Sequence, residues 1–489
     1  MEKDHSDESP VGEAMAGSPL ITATDPSSRL AVVIGLGRSG IGAARLLQAQ
    51  GHPVCVLESG RSPALEERAG PLRAAGVEVR LGEPIDHAAV LSLAPHLGPV
   101  VVSPGIPWDH PELVRLRDAG VAVQGELVPA WQASRPVPWI GITGTNGKTT
   151  VTHLVSHLFC RAGLEAPMAG NVGTSAAELV LERQRSAAGL PPWLVVEISS
   201  YQIESCPQVA PRVGIWTTLT PDHLERHGTV DNYRAIKRSL LERSTTRLLN
   251  GDDPDLRARA TSWDRAVWVT ASTERQIAEG VLADLWIEDG RVWLERDGQR
   301  LDLLAADALA MPGEHNRQNM LLAVAAGLEA GLEGAAMEQA LREFPGVPHR
   351  LERIREHHQI VYYNDSKATN YDAAEVALRA VEGPLVVLAG GQAKIGDASA
   401  WIAALARKAR AVVLYGEARD RFAALLQEAG FPGEVECCVG LDEAVPRAGH
   451  RARTLACPAV LLSPACASFD QYPDFEARGN HFRRLVEAL

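Results

Sequence analysis

The sequence predicts an α/β protein of three domains: a Rossmann-like N-terminal domain, a central P-loop ATPase-type domain and a Rossmann-like C-terminal domain. Three observations predict it. At 489 residues the chain is too long for one hydrophobic core. Short apolar runs of parallel-strand type recur along it and alternate with helical stretches. Two of these runs lead into glycine-rich turns that open helices, Gly35-Leu-Gly-Arg-Ser-Gly40 and Gly141-Ile-Thr-Gly-Thr-Asn-Gly-Lys-Thr-Thr150.

Residues 1–28 are rich in Asp, Glu, Ser, Pro and Gly and are expected to form a flexible tail. The first domain, 29–133, opens with the buried strand Leu-Ala-Val-Val-Ile-Gly from Leu30, the GxGxxG turn and a helix through about Gln50. A second strand from Pro53 to Leu57 ends in Glu58, where a dinucleotide-binding fold places an acidic side chain on a ribose hydroxyl. A helix near Pro63 to Ala75, a strand from Val100 to Val102 and a helix near Pro111 to Ala119 complete a small doubly wound unit. The GxGxxG turn is open to two readings: a tight strand-to-helix turn with no ligand, or a helix N-terminus that takes a nucleotide diphosphate.

Gln132-Ala-Ser-Arg-Pro-Val-Pro138 reads as a linker into the central domain, 134–346. Here Trp139 to Thr143 is a strand, Gly144 and Gly147 let the backbone turn toward an anion, and a helix continues past Val151. Thr145, Asn146 and Thr150 complete the phosphate cradle, Lys148 supplies a charge for the β/γ-phosphates, and the Thr149 hydroxyl stands where P-loop proteins hold Mg²⁺. The common pattern has a glycine where Ile142 stands. Strands at Trp193 to Ile198 and Gly214 to Leu219 end in polar clusters, so Glu197 and His223 can reach one Mg²⁺ beside the loop. Asp231 to Arg243 is an amphipathic helix on which, from the residues alone, Lys237 is an ordinary solvated lysine. Asp-Gly pairs at 289–290 and 297–298 predict antiparallel hairpins between Val281 and Leu304. Asn316 and Asn319 share one face of the first turn of a helix, either reading a base edge or ribose or, for one of them, capping.

Phe344-Pro-Gly-Val-Pro348 marks the entry to the third domain, 347–489. Its expected strands are Gln359 to Tyr363, Leu385 to Ala389, Ala411 to Tyr415 and Ala459 to Leu462. Polar clusters again follow strand ends: Asn364-Asp-Ser-Lys-Ala-Thr-Asn370, Gly390-Gly-Gln-Ala-Lys394 and Ser463-Pro-Ala-Cys-Ala-Ser-Phe-Asp470. A substrate site on that sheet edge, facing the P-loop across a cleft, is the expectation.

A net charge of −13 argues against nucleic acid as a partner. Seven scattered cysteines without metal-ligand spacing read as reduced thiols, and no apolar run is long enough to span a bilayer. The N-terminus has neither the basic nor the apolar region of a signal peptide, so a cytoplasmic protein, expected to be monomeric, is predicted.

With these clusters in place, residues 30 to 489 resemble the Mur ligase family. Thr143-Gly-Thr-Asn-Gly-Lys-Thr149 and His315-Asn-Arg-Gln-Asn319 are shared with the wider family, including folylpolyglutamate synthases. Asn364 to Asn370 and Ser463 to Gln471 are similar to the branch that adds D-glutamate. The resemblance implies ATP and Mg²⁺ as cofactors, UDP-N-acetylmuramoyl-L-alanine and D-glutamate as substrates, and an acyl-phosphate intermediate. It implies that Arg38, Ser39, Glu58, Ser59, Arg61 and Gly105, with Asn171 from the central domain, hold the UDP part. Glu58 and Arg38 depart from the Asp and apolar residue that the family places there. It further implies ATP contacts by Gly144 to Thr150, Asn316, Asn319, Arg350 and Asp365, and metal contacts by Thr149, Glu197, His223 and a carbamylated Lys237. Catalytic roles fall to Lys148, Glu197, His223 and Lys237, and the glutamate site to Lys367, Thr369, Lys394, Ser468, Phe469 and Phe475. Rival expectations are a folate-polyglutamate ligase, a P-loop switch that hydrolyses ATP without ligation, and a dinucleotide-dependent oxidoreductase.

Overall fold

A computed structural model describes residues 29–311, 313–393 and 396–489. The tail expected at 1–28 and the candidate Lys394 therefore lie outside the described residues. The chain divides into two compact units: residues up to Ala133 together with Ala176–Arg185, and Ser134–Ser175 together with Ser186–Leu489.

In the first unit five strands, all parallel, lie in the order 3-2-1-4-5, with Leu30–Ile34 at the centre between Val54–Glu58 and Leu97–Val102. The outer strands Glu78–Leu81 and Val123–Gly125 were too short and too polar to be expected from the sequence. Alternate residues feed opposite faces, Ala31 and Val33 into one apolar cluster and Val32 and Ile34 into the other, so helices cover both sides. Helix Ala176–Arg185 arrives from the middle of the chain and packs on helices Arg38–Ala49 and Leu127–Ala133. Its Glu178 pairs with Arg45 at 2.5 Å, and Gln184 donates to the carbonyl of Ala133 at 3.0 Å.

The second unit carries two large sheets. The nine-stranded one has Trp139–Thr143 between Leu194–Glu197 and Val213–Trp216, all parallel, and ends in an antiparallel ribbon of Leu285–Glu288, Arg291–Arg296 and Gln299–Ala305. The Asp-Gly turns fall where expected, with Asp289, Gly290, Asp297 and Gly298 all at positive φ. The helix Lys148–Arg161 packs on Glu314–Glu329. Met320 to Ala326 of the latter are buried on every side, which explains why its apolar residues lack a helical stripe.

The six-stranded sheet runs Glu352–His357, Ile360–Asn364, Ala459–Leu462, Leu385–Gly390, Ala409–Tyr415, Glu434–Cys437, antiparallel only at its first pair. Val387 and Ala389 face one apolar cluster and Val386 and Leu388 the other, the pattern of a doubly wound sheet. Register places functional segments together. Ile142 stands opposite Glu197 and Thr143 opposite Trp216, while Leu462 stands opposite both Asn364 and Leu388. The loops that follow therefore emerge from one edge of each sheet.

Candidate active site

The phosphate loop needs glycine at two positions. Gly144 has φ +148° and Gly147 φ +83°; a Cβ would stand 1.9 Å from Thr217 Oγ1 at the first and 2.7 Å from Asn319 Oδ1 at the second. The loop is tied to the segment after strand Val213–Trp216: Thr145 N donates to Thr218 O at 2.8 Å and Asn146 N to Thr218 Oγ1 at 2.9 Å. Helix Lys148–Arg161 begins at Gly147 without a side-chain cap, so its N-terminal N–H groups and positive dipole end suit an anion.

Lys148 Nζ donates to the carbonyls of Gly144 and Thr145, both at 2.9 Å. Burial pulls its pKa below the usual lysine value. Lys237 is not a solvated lysine. It is 1% exposed, and its Nζ donates to Gly144 O at 3.0 Å and Thr143 Oγ1 at 3.3 Å while lying 4.5 Å from the centre of the Tyr233 ring. Burial, and then the charge of Lys148, hold its pKa well below the lysine range. The helix is amphipathic as expected, but Lys237 lies on its inner face, where packing against the phosphate loop overrides the usual exposure of lysine.

Glu197 is 2% exposed. One carboxylate oxygen accepts from Asn171 Nδ2 at 2.7 Å, while Oε2 is buried without a hydrogen-bond partner. A buried, unpaired carboxylate oxygen is costly unless a cation meets it, and a hard divalent ion takes such oxygens, so the donor set fits Mg²⁺. The structure gives His223 other neighbours: Nδ1 pairs with the Tyr201 hydroxyl at 3.0 Å, and the half-exposed ring lies 3.5 Å from Asp222 and 3.6 Å from Glu225. The Thr149 hydroxyl accepts from Arg350 Nη2 at 3.1 Å, which links the phosphate loop to the start of the C-terminal region. Asn316 and Asn319 are both buried and 3.4 Å apart, Asn319 Nδ2 donating to Asn316 Oδ1; the helix cap is Gly313, so capping does not account for either.

From the six-stranded sheet, Asp365 accepts from Leu351 N at 3.2 Å and from Ser463 Oγ at 3.1 Å, and burial raises its pKa to about 7. Lys367 Nζ stands 3.8 Å from the centre of the Phe475 ring, with its pKa lowered to about 8 by burial and then by Arg350. Ser468 is buried, Thr369 half-buried, and Phe469 is 68% exposed. A cavity of about 670 Å³ is lined on one side by Thr145, Asn146, Gly147, Thr150 and Asp222, and on the other by Asp365, Lys367, Ala373 and Val376, with Asn316, Asn319 and Arg350 between.

In the first unit, Arg38, Ser39, Glu58, Ser59, Arg61 and Gly105 follow the carboxyl ends of neighbouring strands. Glu58 holds its own turns together, accepting from Leu36 N and Gly60 N, each at 2.9 Å. Asn171 belongs to the second unit, where its amide is on Glu197.

Sequence reasoning missed Tyr233 and His227. Tyr233 lies one helical turn before Lys237, a spacing that could have suggested contact. His227 is 5% exposed, stacks on Tyr233 with ring centres 5.4 Å apart and pairs with Ser200 Oγ at 2.9 Å; burial lowers its pKa to about 4. No local signal marks it.

Three family descriptions match the chain: Mur ligase MurD-like N-terminal domain over residues 29–125, Mur ligase middle domain over 142–327, and Mur ligase glutamate ligase domain over 349–466. A protein of Synechococcus sp. strain CC9605 named UDP-N-acetylmuramoylalanine–D-glutamate ligase is 56% identical over 458 residues, 94% of this chain and 98% of that protein. A namesake from Thermosynechococcus vestitus is 46% identical, covering 94% of this chain and 99% of that protein. Among solved structures, a UDP-N-acetylmuramate-alanine ligase from Thermotoga maritima matches with TM-score 0.57 at 19% identity, covering 94% of this chain and 99% of that one. A Mycobacterium tuberculosis folylpolyglutamate synthase complexed with ADP matches with TM-score 0.53 at 17% identity, covering 73% and 92%; at such identities both share the fold. The three matched domains and the near-complete overlap with these relatives lead to one conclusion: the chain belongs to the Mur ligase family.

Proposed function

We propose that this protein is an ATP-dependent ligase that joins D-glutamate to UDP-N-acetylmuramoyl-L-alanine in the cytoplasmic part of peptidoglycan synthesis. The observation that carries this reading is the single cavity onto which both the phosphate loop and the Asp365–Lys367 segment open, since one reaction space must serve phosphoryl transfer and amide formation. The shared name of the relatives supports the choice of substrates.

In the first step the alanine carboxylate attacks the γ-phosphorus of ATP; an O–P bond forms to the carboxylate, the bond to the bridging oxygen breaks, and ADP leaves. Both reactants are anionic, so charge must be offset before they approach. Lys148 and the helix N-terminus at Gly147 serve the triphosphate, and Asn316, Asn319, Arg350 and Asp365 serve the rest of the nucleotide. Glu197, with Thr149, His223 and the carbamate of Lys237, would hold Mg²⁺, whose charge when bound offsets that of the phosphates. Burial lowers the pKa of Lys237 and so favours its neutral amine, which can add to CO₂: a C–N bond forms, a proton leaves to solvent, and the neutral amine becomes an anionic carbamate. In the second step the amine of glutamate attacks the acyl carbon, phosphate leaves, and the excess proton passes to solvent. Lys367 offers a cation to a glutamate carboxylate, with Thr369, Ser468, Phe469 and Phe475 completing the site. Arg38, Ser39, Glu58, Ser59, Arg61 and Gly105 hold the UDP part.

The test is to incubate the protein with UDP-N-acetylmuramoyl-L-alanine, ATP, Mg²⁺ and labelled D-glutamate, following phosphate and labelled product together. Equal release of both, dependent on each substrate, is expected. Phosphate without that dependence would indicate a P-loop switch, and labelling of a folate with L-glutamate instead would indicate a folylpolyglutamate ligase.

A further inference from the structure

Arg478, on the first turn of helix Phe475–Glu487, is fully buried, yet its hydrogen bonds go to three carbonyls and one hydroxyl. Nε donates to Ser366 Oγ at 2.9 Å, Nη2 to Ser366 O at 2.8 Å and Cys466 O at 3.1 Å, and Nη1 to Ala467 O at 3.2 Å. Ser366 Oγ in turn donates to the carbonyl of Phe475 at 2.8 Å. The third strand-end loop passes just as close: a Cβ on Gly391 would lie 3.0 Å from Nη1 and 2.3 Å from Ala467 O.

Desolvating a guanidinium is expensive, and apolar residues of similar volume commonly fill such a place at no loss of stability. What an apolar residue lacks is the planar fork, which alone can grip two loops in fixed relation. The loops gripped are those of the amino-acid site. Ser366 adjoins Lys367, Ala467 adjoins Ser468, and the Ser366 hydroxyl fixes the backbone of Phe475, over whose ring Lys367 stands.

We propose that Arg478 is the positioning residue of the amino-acid site, setting the spacing of Lys367, Ser468 and Phe475 without touching substrate. The inference rests on the ligase function proposed above. Two variants test it: Arg478→Lys, which keeps the charge and loses the fork, and Ser366→Ala, which removes only the hydroxyl relay. Steady-state KM for D-glutamate and for ATP would be measured alongside formation of the acyl phosphate, trapped with hydroxylamine in the absence of glutamate.

Arg478→Lys is expected to raise KM for D-glutamate about tenfold, with KM for ATP within about twofold of the parent and trapping retained, since the lost geometry serves only the second substrate. Ser366→Ala should raise KM for D-glutamate about threefold, and it decides the matter if Arg478→Lys does not fold. Unchanged KM for D-glutamate, or parallel rises for both substrates, would overturn the assignment. A parent enzyme that fails to ligate D-glutamate would instead overturn the ligase function itself.

Discussion

Lys148 and Lys237 donate to the same acceptor, the carbonyl oxygen of Gly144, at 2.9 Å and 3.0 Å. Two ammonium groups converging on one oxygen in a dry site repel strongly, and burial lowers the pKa of both, with the charge of Lys148 as the second cause at Lys237. The same juxtaposition that would be unfavourable for two cations is favourable for a cation beside a neutral amine, or beside the anion that such an amine becomes on meeting CO₂.

Lys237→Ala should therefore lower ligation by at least about 10²-fold, the scale on which lost electrostatic stabilisation is felt. Acetate or formate should restore part of the activity by occupying the vacated space. In the parent enzyme, ¹³C-labelled bicarbonate should give a carbamate carbon resonance that the variant lacks. Near-normal activity of the variant without added acid would rule out the carbamate.

Lys148→Ala should abolish ligation while leaving the affinity for UDP-N-acetylmuramoyl-L-alanine, measured by calorimetry, nearly unchanged. Its partners are the phosphate loop's own carbonyls, so the charge it supplies acts on the triphosphate. An equal loss of UDP-substrate affinity would mean that the two nucleotides have been assigned to the wrong sites.

Asp365 predicts a pH effect of definite sign. Its folded-state pKa of about 7 lies above the unfolded 3.8, so its stabilising contribution is complete below the unfolded value and is lost as pH rises through about 7. Asp365→Asn, which does not titrate, should gain on the parent in thermal melts of the ligand-free protein between pH 5 and pH 8, by up to about 3 kcal/mol. A melting difference that stays flat over that range would show that the carboxyl is ionised throughout.

Gly147→Ala should destabilise the protein by about 1–3 kcal/mol, because a side chain at φ +83° is strained and its Cβ would press on Asn319 Oδ1. Since that position opens the helix that receives the phosphates, KM for ATP should rise as well. The checks are chemical denaturation and ATP titration; a variant with parent-like values in both would show that the loop tolerates the displacement.

Features encoded within a few adjacent residues were legible in the sequence. Gly144, Gly147, Lys148 and Thr149 lie in one loop, and the Asp289-Gly290 and Asp297-Gly298 turns carry their conformation in two residues. The central strands of each sheet were legible because apolar runs buried on both faces stand out. Edge strands such as Glu78–Leu81 and Glu352–His357 were not, since half the residues of the first and all of the second are partly or fully exposed, and the apolar run dissolves. Lys237 illustrates the other limit: its burial depends on Thr143 and Gly144, more than ninety residues earlier, and no local pattern reports such a contact. Arg478 is hidden in the same way among Glu476, Arg483 and Arg484 on a helix that reads as mostly polar.

The helix Ala176–Arg185 has a topological consequence. Its apolar residues, its ion pair to Arg45 and its hydrogen bond to Ala133 make it part of the first unit, although the chain on both sides of it belongs to the second. The backbone therefore crosses between units at 133, 175 and 185, and no single cut yields two complete bodies. On the ribosome the N-terminal sheet can pair its five strands early, but helices Arg38–Ala49 and Leu127–Ala133 lack their packing partner until residue 185 has emerged, by which time the phosphate loop has already been made. Maturation of the first unit is thus threaded through synthesis of the second.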